Sequence, residues 1–377
     1  MAAGMNGQSQ DFHVGLFFSN FRGGGIQRVR LRLAESLIQH GWRVDLVVVQ
    51  GDGPLRNEIP AGCRFFDFQA KQTSRSLFKL IVYLRSENPG AVLSSQTHLN
   101  VSAVLARILS DWKGRLVLSE HIALDYAARN PANWKDRFLP LLARVFYRWA
   151  DEIILVSKGA AQHFIEVTHV PENLIRVIYN PIVIEELIAQ SKTQLEHAWF
   201  RTPNTPVILA VGRLTRQKDF ETLLRAFSLL RERIPLTKLI ILGEGEERSS
   251  LEQLSKELGI QNSVQFLGFV VNPFSYMANA SVLVLSSRWE GFPNVLTEAL
   301  ACGTPVVATD CPSGPAEILE NGRYGFLAPV GDPQALADAI IKTLSCPPSS
   351  DILRKRAMDF SIENILPQYL DILHPAS

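Results

Sequence analysis

The sequence is poor in the features that mark several large classes of protein. Its four cysteines are widely spaced and form no C-x-x-C pair, which argues against a zinc site or a disulfide framework. It contains no D-x-D triplet and no His/Asp cluster with metal-ligand spacing, so we predict no catalytic metal and no cofactor. No uninterrupted apolar run approaches about 18 residues, so no segment is expected to span a bilayer.

Net charge is also nearly absent, because 38 basic residues are balanced by 37 acidic ones. Residues 1–182 nevertheless hold 21 basic and 15 acidic residues, against 17 and 22 in the remainder. A basic half favours anionic partners such as phosphate or anionic lipid, although a solvated basic face explains it equally well. We predict no nucleic-acid partner. The N-terminus lacks the pattern of a secretory signal, so we expect a cytoplasmic protein, with peripheral contact at the inner face of the membrane left open.

Apolar runs of four to eight residues alternate with amphipathic stretches, which is the pattern of parallel sheets covered by helices. The pattern restarts after residue 200, so we predict two doubly wound α/β domains. The N-terminal domain is placed at 1–182, a polar linker at 183–204 and the C-terminal domain at 205–359. Residues from about 360 to 377 are predicted to form a helix that packs back on the first domain. Strands are predicted within 13–19, 42–50, 91–96, 115–121, 152–157, 176–179, 206–214, 237–245, 263–270, 281–287 and 304–310.

The segment 286–310, SSRWEGFPNVLTEALACGTPVVATD, carries the strongest functional signal. A strand ends just before it, a helix is predicted to begin at Pro293-Asn294, and Gly303 is predicted to end that helix. Glu290 therefore lies on the strand-to-helix loop and Glu298 within the helix. Exposed N–H groups at the helix start favour an anion such as a diphosphate. Carboxylates beside a phosphate are useful if they accept hydrogen bonds from sugar hydroxyls, although the spacing alone also fits two surface glutamates.

The string EGFPNVLTEALACGTPVVATD resembles the E-x7-E region of the group 1 (family 4) glycosyltransferases, and the resemblance extends over nearly the whole chain. It implies the GT-B fold, in which two Rossmann-like domains face a central cleft. It also implies that Glu290 contacts hydroxyls of the donor sugar and that Glu298 holds the ribose of the nucleotide. The resemblance places the backbone of the helix start near the sugar and phosphates, at Gly291, Phe292, Asn294 and Val295.

A basic loop, GRLTRQKD at 212–219, follows the first strand of the second domain. Fixed positive charge there suits the negative charge that develops on a departing diphosphate. Arg213 can bind bidentately, whereas Lys218 acts as a point charge. The string resembles the phosphate motif of the family, except that Asp219 stands where the family usually has Gly or Asn. Gly268 and Phe269, which follow a later strand, are predicted to border the nucleotide base.

In the first domain, the glycines of RGGGIQR at 22–28 allow the backbone to approach a ligand, although a tight turn alone would explain them. The string is not G-x-G-x-x-G and no acidic residue follows at the expected offset, which disfavours a dinucleotide-dependent oxidoreductase. In the family this loop closes over the donor phosphates and the acceptor, and Gly24 and Gly25 match it best. His121 ends the fourth predicted strand, where family members often have a histidine that contacts the donor sugar and the reaction centre.

The resemblance implies retaining transfer of a hexose or N-acetylhexosamine from a nucleoside-diphosphate sugar, with UDP expected, to a glycan or lipid-linked acceptor in bacterial surface polysaccharide synthesis. The sugar nucleotide is then a co-substrate, and His121, Arg213, Lys218 and Glu290 are the expected catalytic residues. Basic and aromatic residues in 71–86 and 133–152 mildly favour a lipid-linked acceptor, although ordinary packed helices also fit. A sugar-nucleotide epimerase of the same architecture and a non-catalytic sugar-nucleotide-binding subunit stay open as alternatives.

Overall fold

The computed structural model describes residues 12–22, 24–70, 73–121 and 137–374. The chain divides into two compact units. The first comprises Met1–Val156, Ala161–Pro181 and Ile365–Ser377, and the second comprises Ser157–Ala160 and Ile182–Asn364.

In the described part of the first unit, seven parallel strands form one sheet in the order β3-β2-β1-β4-β5-β6-β7. Most of the strands are continuous runs of buried Val, Leu, Ile and Phe, because helices cover both faces of such a sheet. The strands are β1 (His13–Phe18), β2 (Arg43–Val48), β3 (Arg64–Asp67), β4 (Ala91–Ser95), β5 (Arg115–Glu120), β6 (Glu152–Leu155) and β7 (Ile175–Val177).

Five helices connect these strands in the described ranges. Pro140 lies in the first turn of the fourth helix, where its missing N–H is no loss, so it begins the helix rather than kinking it. The helices are α1 (Gly25–Gln39), α2 (Thr73–Glu87), α3 (Thr97–Ser110), α4 (Leu139–Phe146) and α5 (Lys158–Thr168).

The described residues of the second unit form a six-stranded parallel sheet in the order β10-β9-β8-β11-β12-β13. Its strands are β8 (Val207–Val211), β9 (Lys238–Leu242), β10 (Val264–Gly268), β11 (Val282–Leu285), β12 (Val306–Thr309) and β13 (Phe326–Ala328). Its helices are α6 (Ile184–Ser191), α7 (Ala198–Arg201), α8 (Phe220–Arg233), α9 (Arg248–Glu257), α10 (Phe274–Asn279), α11 (Asn294–Cys302), α12 (Pro315–Ile318), α13 (Pro333–Ser345) and α14 (Ser350–Met358). The final helix, α15 (Ile362–Leu373), contributes residues from Ile365 onward to the first unit.

Both sheets confirm the predicted doubly wound α/β fold. In each sheet the chain starts at an inner strand, adds strands on one side of it and then adds the rest on the other side. The connecting loops therefore diverge between β1 and β4 and between β8 and β11. Such switch points at the carboxyl ends of strands are where ligands bind in open α/β sheets. The predicted end of α11 is also confirmed, because Gly303 adopts φ +80° in the left-handed region that glycine favours.

The interval 183–204, which polar composition predicts to be a linker, contains α6 and α7 and groups with the second unit. Buried Ile184 and Leu187, three residues apart on one face of α6, anchor that helix. Next to α7, His197 Nε2 lies 2.7 Å from Gln265 Oε1 on β10. A pair of apolar anchors such as Ile184 and Leu187 is easily overlooked in a polar stretch. Among the helices in the described ranges, none is long and apolar enough to cross a membrane.

Candidate active site

The basic loop and the glutamate-bearing loop lie side by side in the second unit. They follow β8 and β11, which are neighbouring strands on either side of the switch point. The backbone N–H of Arg288 donates to Gln217 O at 2.8 Å, and Gln217 Nε2 donates to Trp289 O at 2.9 Å. Ser286 Oγ donates to Lys218 O at 2.8 Å. These bonds join two segments that are about 70 residues apart in sequence and hold them in a fixed register.

Lys218 and Glu290 form an ion pair at the centre of this arrangement. Lys218 Nζ lies 2.5 Å from Glu290 Oε1, and the side chains are 17% and 7% exposed. Ser287 Oγ donates to the same oxygen at 2.6 Å. Glu290 Oε2 accepts no hydrogen bond from a described residue, so it keeps acceptor capacity for a ligand hydroxyl.

The remaining residues predicted in the second unit differ in how far they are exposed. Arg213 is exposed and forms no ion pair with a described residue, whereas Glu298 is half-buried in α11. The helix α11 begins at Asn294 and Val295, and the N–H groups of a first helical turn favour an anion. Gly291 and Phe292 are buried, and the Phe292 ring packs against Phe360 with centroids 5.6 Å apart. Phe292 can therefore offer a ligand only its backbone.

Gly268 is the last residue of β10 and Phe269 follows it, and one strand separates β10 from β8. Gly268 adopts φ +75°, in the left-handed region that glycine favours, and a Cβ there would lie 2.6 Å from Glu244 Oε1. Phe269 is 58% exposed. Their predicted place beside a nucleotide base stays a prediction.

Asp219 has a structural role that the sequence alone does not reveal. Its backbone lies in the left-handed region at φ +49°, which explains why glycine and asparagine are common at this position in the family. Its buried carboxylate accepts from Arg288 Nη2 at 3.0 Å and from Thr222 Oγ1 at 2.8 Å. The hydrogen bond between Arg288 and Asp219 raises the pKa of the Arg288 guanidinium. Asp219 thus ties the basic loop to the glutamate-bearing loop.

In the first unit, Gly24 and Gly25 are exposed at the start of α1, and Gly23 lies outside the described residues. His121 follows β5, and its Nε2 lies 3.1 Å from Arg30 Nη2 and 2.8 Å from Ser119 Oγ. Burial and then the charge of Arg30 hold the pKa of His121 well below its ordinary value, so the imidazole is neutral. Arg30 is thus a charged neighbour of His121 that the sequence motif does not predict.

Two residues at this end of the first sheet are absent from the sequence-based prediction. Arg30 is fully buried. Its burial could have been predicted, because it occupies a core position of α1 beside Val29 and Leu33. Gln96 follows β4 and precedes α3 with φ +83°, a strained conformation for a residue other than glycine. No sequence signal marks Gln96, because the strain arises from how the strand joins α3.

Thiol and metal chemistry find little support in the described residues. Burial raises the pKa of Cys302 to about 12 and also raises that of Cys311, so neither thiol is a ready nucleophile near neutral pH. Across the described ranges, no group of three or more His, Cys, Asp or Glu side chains could hold a metal ion.

Comparisons with known proteins identify the family and the fold. Residues 191–360 match the model described as glycosyl transferases group 1, and residues 23–186 match that of glycosyltransferase family 4. An uncharacterised glycosyltransferase of Methanocaldococcus jannaschii is 30% identical over 336 residues, covering 78% of this chain and 81% of that protein. The lipopolysaccharide core biosynthesis glycosyltransferase LpsE of Rhizobium meliloti is 28% identical over 96% of this chain and 97% of its own. The crystal structure of HepE from Anabaena with UDP-glucose shares the fold, with a TM-score of 0.79 and 22% identity, covering 96% of this chain and 98% of that one.

Proposed function

This chain belongs to the group 1 (family 4) glycosyltransferases, and from that premise we propose that it transfers a hexose or N-acetylhexosamine from a UDP-sugar to a glycan or lipid-linked acceptor of a bacterial surface polysaccharide. The observation that carries the proposal is the pairing of Lys218 with Glu290 at the switch point of the second sheet. A cation for the diphosphate and a carboxylate for the sugar hydroxyls stand side by side there. LpsE, named for lipopolysaccharide core synthesis, and HepE, solved with UDP-glucose, support the acceptor class and the donor.

In the proposed reaction, the bond between the anomeric carbon and the diphosphate oxygen breaks while an acceptor hydroxyl oxygen bonds to the same carbon. The proton of that hydroxyl goes to the departing diphosphate, and attack on the same face retains the anomeric configuration. Negative charge grows on the leaving group as positive charge grows at the sugar. The negative charge on the diphosphate would be stabilised by Lys218, Arg213 and the N–H groups at the start of α11. Glu290 would orient the sugar.

Ligand-dependent thermal stabilisation tests the donor. We expect a UDP-sugar at 100 times its Kd to stabilise the protein by about 2.7 kcal/mol, and NAD to have no effect. Glu298→Gln removes the charge that would accept from the ribose, so its affinity for the same UDP-sugar should fall at least about tenfold. The exposed Glu257, at the end of α9, provides a matched control, and Glu257→Gln should bind like the wild type.

Product analysis then separates the alternatives. Sugar transfer to an acceptor from bacterial membrane extracts is the expected result. Conversion of the UDP-sugar without an acceptor would point to an epimerase, and binding without any turnover would point to a partner subunit. We further propose that turnover needs no divalent metal, so activity should persist in EDTA, and activity restored only by added metal would contradict this.

The acceptor proposal draws on an exposed apolar surface of the first unit, formed by α2, α3, α4 and the turn Tyr147–Trp149. Neighbouring helices of this group pack on one another. Large apolar side chains that a soluble surface would normally bury are exposed along it, namely Phe78, Val82, Ile108, Leu109, Phe138, Leu141, Val145 and Trp149. Exposed basic side chains lie on α2, on α4 and in the turn, at Arg75, Arg144 and Arg148. This combination suits the surface of an anionic membrane, where a lipid-linked acceptor would be held. Residues 71–72 and 133–136 of the two predicted basic stretches lie outside the described residues.

Vesicle flotation tests this surface. We expect the wild type to float with vesicles containing anionic phospholipid, and Phe78→Glu with Val82→Glu on α2 to weaken vesicle binding by at least about tenfold, because two apolar side chains lose their burial. Leu236→Glu is the matched control, since Leu236 in the second unit is 62% exposed and Val82 is 64% exposed. Equal losses in both variants, or no flotation of the wild type, would refute membrane contact.

A further inference from the structure

The side chain of Arg30 is unusual among the buried residues of the first unit. It is fully buried on α1, yet no carboxylate among the described residues pairs with it. Its Nε donates to Ser95 Oγ at 2.7 Å and its Nη2 lies 3.1 Å from His121 Nε2. A buried guanidinium without a counter-charge is costly, so the position calls for a function.

The contact between Arg30 and His121 determines where the imidazole proton lies. A guanidinium can only donate hydrogen bonds, so His121 Nε2 must accept and therefore carries no proton. Ser119 Oγ, 2.8 Å from the same nitrogen, can donate as well. The proton of the neutral ring then resides on Nδ1, which is buried and has no hydrogen-bond partner among the described residues. A donor kept without a partner is ready for a ligand oxygen.

We infer that Arg30 is a positioning residue that holds His121 as the Nδ1–H tautomer, so that Nδ1 donates a hydrogen bond to the sugar or the acceptor. Arg30 also fixes the ring orientation, because its Nε donates to Ser95 on β4 while its Nη2 contacts His121, which follows β5. The kinetic consequence rests on the proposed function, whereas the tautomer does not.

Nitrogen NMR of protein labelled with [15N]histidine tests the inference, with His121 identified by its loss in His121→Asn. We expect the wild type to show a protonated Nδ1 and an unprotonated Nε2 at neutral pH. Arg30→Met should redistribute the proton between the two nitrogens, and Arg30→Lys, which keeps a donor cation, should restore the wild-type tautomer at least in part. With a UDP-sugar donor, kcat of Arg30→Met should fall about tenfold, with little change in the donor KM.

Arg64→Gln provides the matched control, because Arg64 bonds to buried Asp45 in the same unit at the start of β3. It should lower stability without changing the His121 tautomer. An Nε2–H tautomer in the wild type, an unchanged tautomer in Arg30→Met, or an equal change in Arg64→Gln would each overturn the inference. The wild-type measurement decides even where Arg30→Met does not fold. If the tautomer is as expected but no sugar is transferred, the proposed function fails and the assignment of Arg30 stands.

Discussion

Lys218→Met is expected to lower turnover with a UDP-sugar by about 10³-fold, because it removes a cation from the position where leaving-group charge develops. It should also destabilise the second unit by about 3 kcal/mol, since Glu290 would remain buried without its counter-charge. Initial rates at saturating donor and urea unfolding of the same protein measure the two effects separately.

Two further variants separate charge balance from chemistry. Lys218→Met combined with Glu290→Gln should recover most of the lost stability, because the double variant no longer buries a lone charge, but it should stay inactive. Arg213→Met should lower turnover with little change in stability, since Arg213 is exposed and unpaired among the described residues. Wild-type turnover in Lys218→Met would remove the proposed role in catalysis.

Asp219→Ala should cost about 3 kcal/mol of stability, or roughly 10 °C in melting temperature, from three sources. Alanine is strained at φ +49°, Thr222 loses its acceptor, and Arg288 loses its partner. Asp219→Asn tolerates the backbone and keeps one acceptor oxygen, so it should be the mildest change. Asp219→Gly should lie between the two.

The order of these three variants is informative, because glycine usually destabilises relative to alanine through the entropy of the unfolded chain. Only a left-handed backbone reverses that order. Thermal denaturation of the three proteins therefore tests the conformation of the loop as well as its hydrogen bonds. An alanine variant more stable than the glycine variant would show that the left-handed turn does not limit stability.

The fold could be predicted from the sequence because its main determinants are local. Runs such as that of β1, buried on both faces, and the glycine that ends α11 leave clear patterns. The edge strands β3 and β13 were missed, since they have four and three residues and half-buried side chains. Strands this short do not differ from loops in composition.

The candidate site could be predicted in part. Glu290, Glu298, Arg213 and Lys218 were singled out by motifs, but the ion pair between Lys218 and Glu290 joins positions in different crossover units. No local pattern encodes such a contact, because strand order decides it. The roles of the catalytic and donor-binding residues stay predictions until the variants above are measured.

The discontinuity of the first unit has a consequence for synthesis on the ribosome. The Phe12 ring packs against His374 with centroids 4.1 Å apart, and Arg115 Nε donates to Ile372 O at 2.6 Å. Phe12 and Arg115 therefore acquire these partners only after α15 has been translated. Throughout elongation the nascent first unit exposes apolar surface that α15 will cover, and this interval is when it is most open to chaperones and to aggregation.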